Sequence, residues 1–499
     1  MFRKILIANR GEIAVRVIRA CRDLDIIPVV VYSDVDRESL PVRMADEAYP
    51  LGDPTPSTSY LDIDKIIAAA KSSGSEAIHP GYGFLSENAS FARRCESEGI
   101  VFIGPSSDTL RLAGDKVAAR KSMRSARVPV IPGTDSPVAT LAGLKKAGQK
   151  IGYPLMLKAA AGGGGKGIRR VDQPDELESA FRLASSEALK AFGDGGVYAE
   201  KSIERARHVE VQILADGRGK VLHLGERECS LQRRHQKILE ETPCTFLSKA
   251  TRRKLFAAAV RGATATRYTN AGTIEFLVEP DGRFYFLEVN ARLQVEHPVT
   301  ESVTGIDIVR EQIRIAAGLP LSIDQKDIRP QGASIEARIY AEDPERGFAP
   351  SPGKIGTFIL PGGPGVRVDT GAVAGMEIPI YYDPLIAKVI TWGKDREEAI
   401  RRLRAALGEM GISGIPTTAP LLHEVLGQRW FREGRYDTSS LEAYLADGRP
   451  TKGDTPIAAL AAALLSHTDG KPRTRPQQTT PGSPWVYQGR TRQLRKWQR

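Results

Sequence analysis

Cysteine is scarce. Four residues in 499, Cys21, Cys95, Cys229 and Cys244, are too few and too far apart for a disulfide framework or a Cys-x-x-Cys zinc site. They read as ordinary reduced thiols. Long apolar runs are missing as well; the longest, Ile457 to Leu465, falls well short of the roughly 20 residues that span a bilayer. Met1-Phe2-Arg3-Lys4 passes straight into Ile5 to Ala8 without the extended apolar region and small-residue cleavage site of a secretory signal. A cytoplasmic protein with no membrane contact is expected. A strong charge of one sign is absent from the body of the chain. Of the net +11, most comes from residues 450–499, where nine Lys or Arg stand against Asp454 and Asp469. A chain that coats phosphate backbones spreads its positive charge and adds stacking aromatics, so no nucleic-acid partner is expected for the body.

Two phosphate-binding signatures are lacking too. The first strand-to-helix turn, Ala8-Asn9-Arg10-Gly11-Glu12, has no Gly-x-Gly-x-x-Gly, and the glycine-rich stretch Gly162 to Gly167 misses the Walker pattern because residue 168 is Ile. What is present is an alternation of short apolar runs with helical patterns: Ile5 to Ala8, a helix from about Glu12 to Leu24, Pro28 to Tyr32, and later Ile100 to Ile103. Strands alternating with helices predict a parallel α/β sheet. Gly152 to Lys158 reads as a strand running into the glycine stretch. Asp216-Gly217 and Asp281-Gly282 each mark a hairpin between alternating strands. Beyond about Gln331 the pattern is mixed, with a helical run near Glu397 to Leu407, and the last fifty residues carry six prolines.

The chemistry concentrates after the second hairpin signal. If Asp281-Gly282 are the central residues of a two-residue turn, Glu275 faces Glu288 across the ladder. Opposed like charges destabilise a sheet unless a cation sits between them, and oxygen ligands with Asn290 on the same face suit Mg²⁺ or Mn²⁺. In an extended chain the period of two then places Glu288, Asn290, Arg292, Gln294 and Glu296 on one face, with Ala291, Leu293 and Val295 on the other, up to His297-Pro298. This is a polar strip from a metal to a carboxylate able to act as a base. Glycines 163, 164, 165 and 167, together with Lys166, form a loop able to present backbone N–H groups to phosphate oxygens. Lys158 ends an apolar strand, where burial calls for an anionic partner such as a nucleotide phosphate. On local grounds Arg227 to Lys237 reads as a basic surface loop, His208 and His235 as structural, and Lys116 as solvent-exposed.

Taken together, these residues resemble the biotin carboxylase family of the ATP-grasp superfamily. The likeness rests on Ile5 to Glu12, His79-Pro-Gly-Tyr-Gly-Phe-Leu-Ser-Glu-Asn88, Gly162 to Gly167, Gln232-Arg-Arg-His-Gln-Lys237, Gln294-Val-Glu-His-Pro-Val-Thr-Glu301 and Tyr381-Tyr-Asp383, over about residues 1–446. The resemblance implies an α/β (α+β overall) fold. It places an N-terminal parallel α/β domain at 1–114, an ATP-grasp domain at 115–330 with a mobile lid at about 131–203, and a mixed C-terminal domain at 331–446. A basic, Pro-rich tail follows at 447–499.

It implies further that Lys116, Lys158, the loop Gly163, Gly164, Gly165, Lys166 and Gly167, and Glu200, Lys201, Ile203, His208, Gln232 and His235 bind ATP. Glu275 and Glu288, with Asn290, would hold Mg²⁺ (or Mn²⁺). Lys237, Arg292, Gln294 and Val295 would bind bicarbonate beside Glu296, the general base, while Tyr82 and Arg338 would contact biotin. The activity implied is ATP- and bicarbonate-dependent carboxylation of biotin on a separate carrier protein. Its partners are a biotin carboxyl carrier protein and carboxyltransferase subunits, with homodimerisation. Acetyl-CoA, propionyl-CoA and pyruvate carboxylases share this component, so the final acceptor stays open. Another ATP-grasp ligase, joining a carboxylate to an amine, would share the metal hairpin but not the strip from Arg292 to Glu296. No methionine in the chain precedes a lysine, the dipeptide at which carriers are biotinylated, so the chain is expected to carry no biotin of its own.

Overall fold

The computed structural model describes residues 1–159, 169–192 and 195–447. Five short strands, β1 (Lys4–Ile7), β2 (Ile27–Ser33), β3 (Glu47–Gly52), β4 (Ala77–His79) and β5 (Val101–Phe102), form a wholly parallel sheet in the order β3-β2-β1-β4-β5. Ile5, Leu6 and Ile7 have no exposed surface, as strands covered on both faces require. Between β1 and the helix Gly11–Arg22 the chain turns at Asn9. Its side-chain amide donates to the carbonyls of Pro80 and Tyr82, each at 2.7 Å, and so pins the loop that carries Tyr82.

The strands β6 (Leu155–Ala159), β7 (Arg169–Val171) and β8 (Val197–Lys201) make a small antiparallel sheet covered by the helices Leu141–Ile151 and Leu177–Phe192. Leu144, Leu155, Leu157, Val171, Leu177 and Val197 form a core of their own here, whereas the N-terminal sheet shares its core with the large sheet described next. Residues 130–138 tether this module: Val130 bridges Phe286 in the body, while Gly133 and Val138 bridge Glu200 and Val197. A module with its own core and few crossing strands can move as a body.

Eight antiparallel strands form the floor. Their order is β13 (Phe284–Asn290), β12 (Asn270–Val278), β9 (Arg207–Ala215), β10 (Val221–Arg233), β11 (Gln236–Thr242), β14 (Ala333–Tyr340), then Leu385–Gly393 and Val366–Thr370. The sheet is continuous across residue 330, since β11 pairs with β14. The fold is thus α/β with a parallel N-terminal sheet and antiparallel sheets beyond it. The helical run near Glu397 is the helix Arg396–Glu409. Met1–Ala443 form one compact unit; of a second, Tyr444–Arg499, only 444–447 are among the described residues, so the tail's composition has no structural counterpart here.

Two sequence expectations need correction. The second hairpin turns through three residues, Pro280, Asp281 and Gly282, with Glu279 accepting from and donating to its neighbours across the loop and Gly282 at φ +86°. Near the turn the register is therefore shifted by one: Val278 faces Phe284 and Phe276 faces Phe286. A bulge at Leu287 then restores the expected pairing of Glu275 with Glu288. The extended run also ends early. β13 stops at Asn290, residues 291–296 are irregular, and a helix spans His297–Thr304 with Pro298 in its first turn and Glu296 as the flanking residue. Ala291 and Leu293 still point into the core, and the polar side chains still converge, through a loop rather than a strand.

Candidate active site

Four neighbouring strands carry a charged residue at one register. Glu288 on β13 faces Glu275 on β12, Glu275 faces Glu210 on β9, and Glu210 faces Arg227 on β10. Adjacent carboxylates repel, and cations resolve most of that repulsion. Lys237, from β11, donates to Glu210 at 2.7 Å, to Glu275 at 2.9 Å and to Glu296 at 2.7 Å. Arg227, with no exposed surface, pairs with Glu210 and donates to Gln212 Oε1 at 2.8 Å and to Thr300 Oγ1 at 2.9 Å. The other oxygen of Glu275 takes a hydrogen bond with His208 at 2.7 Å.

Burial alone pushes these carboxyls up. Lys237, Arg338 and Arg227 nevertheless hold Glu296 well below the usual carboxylate range, and Lys237 with His208 does the same for Glu275. Burial opposes protonation of His208, yet Glu275 raises its pKa overall. Glu288 stands apart: its side chain is exposed, among the described residues no cation reaches it within ion-pair distance, and the surrounding protein, then the charge of Glu275, raises its carboxyl. An open carboxylate opposite an ion-paired one is an oxygen donor set that fits Mg²⁺. Asn290 supports it, donating to Glu275 at 2.8 Å while its own oxygen accepts from Arg292 at 3.0 Å.

The residues after β13 close the floor. Arg292 donates to Glu87 at 2.9 Å and to Gln294 at 3.0 Å, and the Gln294 amide lies 3.4 Å from Glu275. Glu296 has no exposed surface; besides Lys237 it accepts from Arg338 at 2.9 Å and lies 3.7 Å from the Cys229 sulfur. Arg338 also pairs with Glu240 at 2.5 Å. Tyr82 donates to Glu12, on the N-terminal helix. The backbone carbonyl of Val295 accepts from Lys388 at 2.7 Å.

Toward the small sheet, a cavity of about 350 Å³ is lined by Lys116, Arg120, Lys121, Lys158, Tyr198 and Glu200, among others. Glu200, raised by burial but held below its usual range by Lys158, Arg120 and Lys116, accepts from Lys158 at 2.6 Å and from Arg120. Lys158 thus has a carboxylate partner within the protein, at the edge of the cavity. Lys116 is exposed at the start of its helix and lines the cavity, while Lys201 turns to the Tyr153 carbonyl at 2.7 Å and, like Ile203, lies outside the lining. The glycine loop with Lys166 lies outside the described residues.

The segment Arg227 to Lys237 is not a surface loop. Arg227, Cys229, Leu231 and Gln232 are buried on β10, and only Arg234 and His235 are exposed, as the two central residues of a tight hairpin with φ of +47° and +68°. Positive φ at both positions is the geometry that suits the strand twist. Gln232 and Lys237 face each other just behind that tip. Sequence reasoning passed over Glu210, Glu240, Arg120 and Glu87. Glu210 had a readable signal, because His208, Glu210 and Gln212 alternate with Val209, Val211 and Ile213, the period of a strand with one polar face.

A cavity lined by charged residues of the small sheet and of the helix that starts at Lys116, together with an antiparallel floor of paired carboxylates and buried cations, suits an ATP-dependent ligase of the ATP-grasp class. Comparison with known families makes it specific. Residues 1–110 match the biotin carboxylase N-terminal domain, 115–324 the ATP-binding domain of the carbamoyl-phosphate synthase L chain, and 336–443 the biotin carboxylase C-terminal domain. The chain is 50% identical over 445 residues to biotin carboxylase 1 of Bacillus subtilis, covering 89% of this chain and 99% of that one. It is 52% identical over 441 residues to the biotin carboxylase of a Nostoc species, covering 88% and 99%. The crystal structure of the biotin carboxylase domain dimer of Hydrogenobacter thermophilus 2-oxoglutarate carboxylase, in complex with MgADP, ADP and bicarbonate, superposes with a TM-score of 0.86 at 49% identity, covering 89% and 98%. The chain belongs to the biotin carboxylase family, and its reaction is the ATP-dependent carboxylation of biotin.

Proposed function

We propose that the site works as follows, the carrying observation being Glu296 buried between Lys237 and Arg338 at the end of the carboxylate row. ATP occupies the cavity beside Lys116, Lys158 and Glu200, with its phosphates toward Glu275 and Glu288. Mg²⁺ held by those two glutamates, with Asn290 behind them, neutralises phosphate charge. Bicarbonate lies against Arg292, Gln294, Val295 and Lys237. Glu296 takes its proton: the carboxylate is fully ionised at neutral pH, and the arrival of a second anion beside it raises its proton affinity. The freed bicarbonate oxygen attacks the γ-phosphorus, ADP leaves, and carboxyphosphate forms. Breakdown to CO₂ and phosphate lets phosphate remove the N1′ proton of biotin, and the enolate attacks CO₂ to give carboxybiotin. Arg338, cationic at any working pH, stabilises the enolate, and Tyr82 flanks it. Closure of the lid keeps water from the intermediate.

The biotin reaches this site on a separate carrier protein, and a carboxyltransferase takes the carboxyl group onward. Two copies of the chain associate, as in the Hydrogenobacter domain dimer. Four buried, unpaired cysteines suit a reducing cytoplasm. The purified protein should form ADP from ATP only with Mg²⁺ and bicarbonate present, faster with free biotin, and label from isotopic bicarbonate should appear in carboxybiotin. Bicarbonate-independent cleavage, or stimulation by an amino acid instead, overturns this reading in favour of a carboxylate-amine ligase.

A further inference from the structure

Lys388 lies on the strand Leu385–Gly393, in none of the segments that supply substrate contacts, and its side chain has no exposed surface. A fully buried lysine is costly unless every donor is used on a partner that needs it. Its ammonium donates to the Val295 carbonyl at 2.7 Å and lies 2.9 Å from Glu12 Oε1. That same glutamate oxygen accepts from the Tyr82 hydroxyl, and the ammonium stands 5.9 Å from the centre of the Tyr82 ring. One group thus joins the loop before helix His297–Thr304, the N-terminal helix and the biotin-side tyrosine. The junction is rigid on its other sides: a Cβ on Gly371 would come within 2.4 Å of the Gly11 carbonyl carbon, so the C-terminal strands press directly on the helix that carries Glu12.

We propose that Lys388 is a positioning residue that couples the two small-substrate subsites. Through Val295 it fixes the backbone against which bicarbonate binds. Through Glu12 it fixes the hydroxyl, and hence the ring, of Tyr82 at the biotin subsite. ATP contacts lie on the lid and the far strands and owe nothing to it. The inference rests on the proposed assignment of Val295 and Tyr82, and the two fail separately: absence of bicarbonate-dependent ATP cleavage in the unmutated enzyme refutes the assignment, whereas the variants below test Lys388.

Lys388→Met keeps the stem and removes the charge. It should raise KM for bicarbonate and for free biotin together by about tenfold or more, the loss of one charge-assisted hydrogen bond at each, with KM for ATP within about twofold of the unmutated value. The single change leaves Glu12 buried without a cation, so it can also lower stability. The double variant Lys388→Met with Glu12→Gln removes that unpaired charge and gives the reading where the single variant does not fold. A merely structural lysine predicts that the double variant regains normal KM values for both substrates as it regains its melting temperature. Positioning predicts that KM for bicarbonate stays raised in the folded double variant, because the Val295 carbonyl still lacks its donor. Unchanged KM values in either folded variant, or a loss confined to kcat, overturn the proposal.

Discussion

At the scale of single residues, the site is an arrangement of charges in which each carboxylate is defined by the cations it meets. Glu296 meets Lys237 and Arg338, Glu275 meets Lys237 and His208, and Glu288 meets none among the described residues. Their roles separate accordingly. Glu296→Gln keeps the shape but cannot take a proton, so turnover should fall by about 10²- to 10⁴-fold while ATP binding, read by nucleotide titration, stays intact. Glu288→Ala should raise the Mg²⁺ concentration for half-maximal activity by roughly tenfold or more, and an unchanged Mg²⁺ dependence refutes its place as a ligand. Glu240 gives a stability signature. Burial lifts its carboxyl to about 7, with Arg338 opposing and Glu296 adding to the rise. A carboxyl whose folded pKa is raised favours the folded state while protonated, so its contribution is lost as pH climbs from the usual carboxylate value toward 7. Thermal melts of Glu240→Gln across pH 4.5 to 7 should show a flatter decline than the unmutated enzyme.

At the scale of elements, the small-sheet module, proposed above as the lid, folds around its own small core while the parallel sheet and the floor share one. Leu157, fully buried on β6, is part of that core and is not in the lining of the cavity. Leu157→Ala should destabilise the lid by about 3 kcal/mol. The expected pattern is raised KM for ATP and faster hydrogen exchange confined to about residues 131–203, with the core strands β9 to β12 as protected as before. Exchange that rises evenly over the whole chain contradicts an independent lid. The hairpin of β12 and β13 teaches a different lesson at this scale. Glycine at position 282 and the acid before it mark a turn, but the length of the turn and the bulge at Leu287 are invisible to local pattern. The expected facing of Glu275 and Glu288 holds because the two one-residue shifts cancel.

At the scale of the whole molecule, three regions far apart in sequence supply one site. Tyr82 comes from the loop after β4 of the parallel sheet, Glu275 and Glu288 from the floor with Arg292 to Glu296 on the segment that follows it, and Arg338 from a strand that extends the same floor. The carboxyl acceptor biotin is a separate participant. None of the six methionines precedes a lysine. A streptavidin blot of the purified chain, produced together with a biotin ligase, should therefore be blank at 54.3 kDa. A band at that mass contradicts a carrier acting in trans.

Local residue pattern specified the types of element, the polar faces within each, and the chemistry those faces carry. Periodicity is a property of a single strand or helix, so Glu288 could be grouped with Asn290 from spacing alone, whereas Arg292, Gln294 and Glu296 converge through an irregular segment to which no period applies. Which group answers which was left to the assembled fold. Glu87 meets Arg292 across 205 residues, Lys237 gathers Glu210, Glu275 and Glu296 from three separate segments, and Lys388 reaches the Val295 carbonyl across 93. No local signal marks such pairs. A buried charge can be kept only where packing brings it a partner, and packing selects that partner by the order of strands in the sheet rather than by distance along the chain.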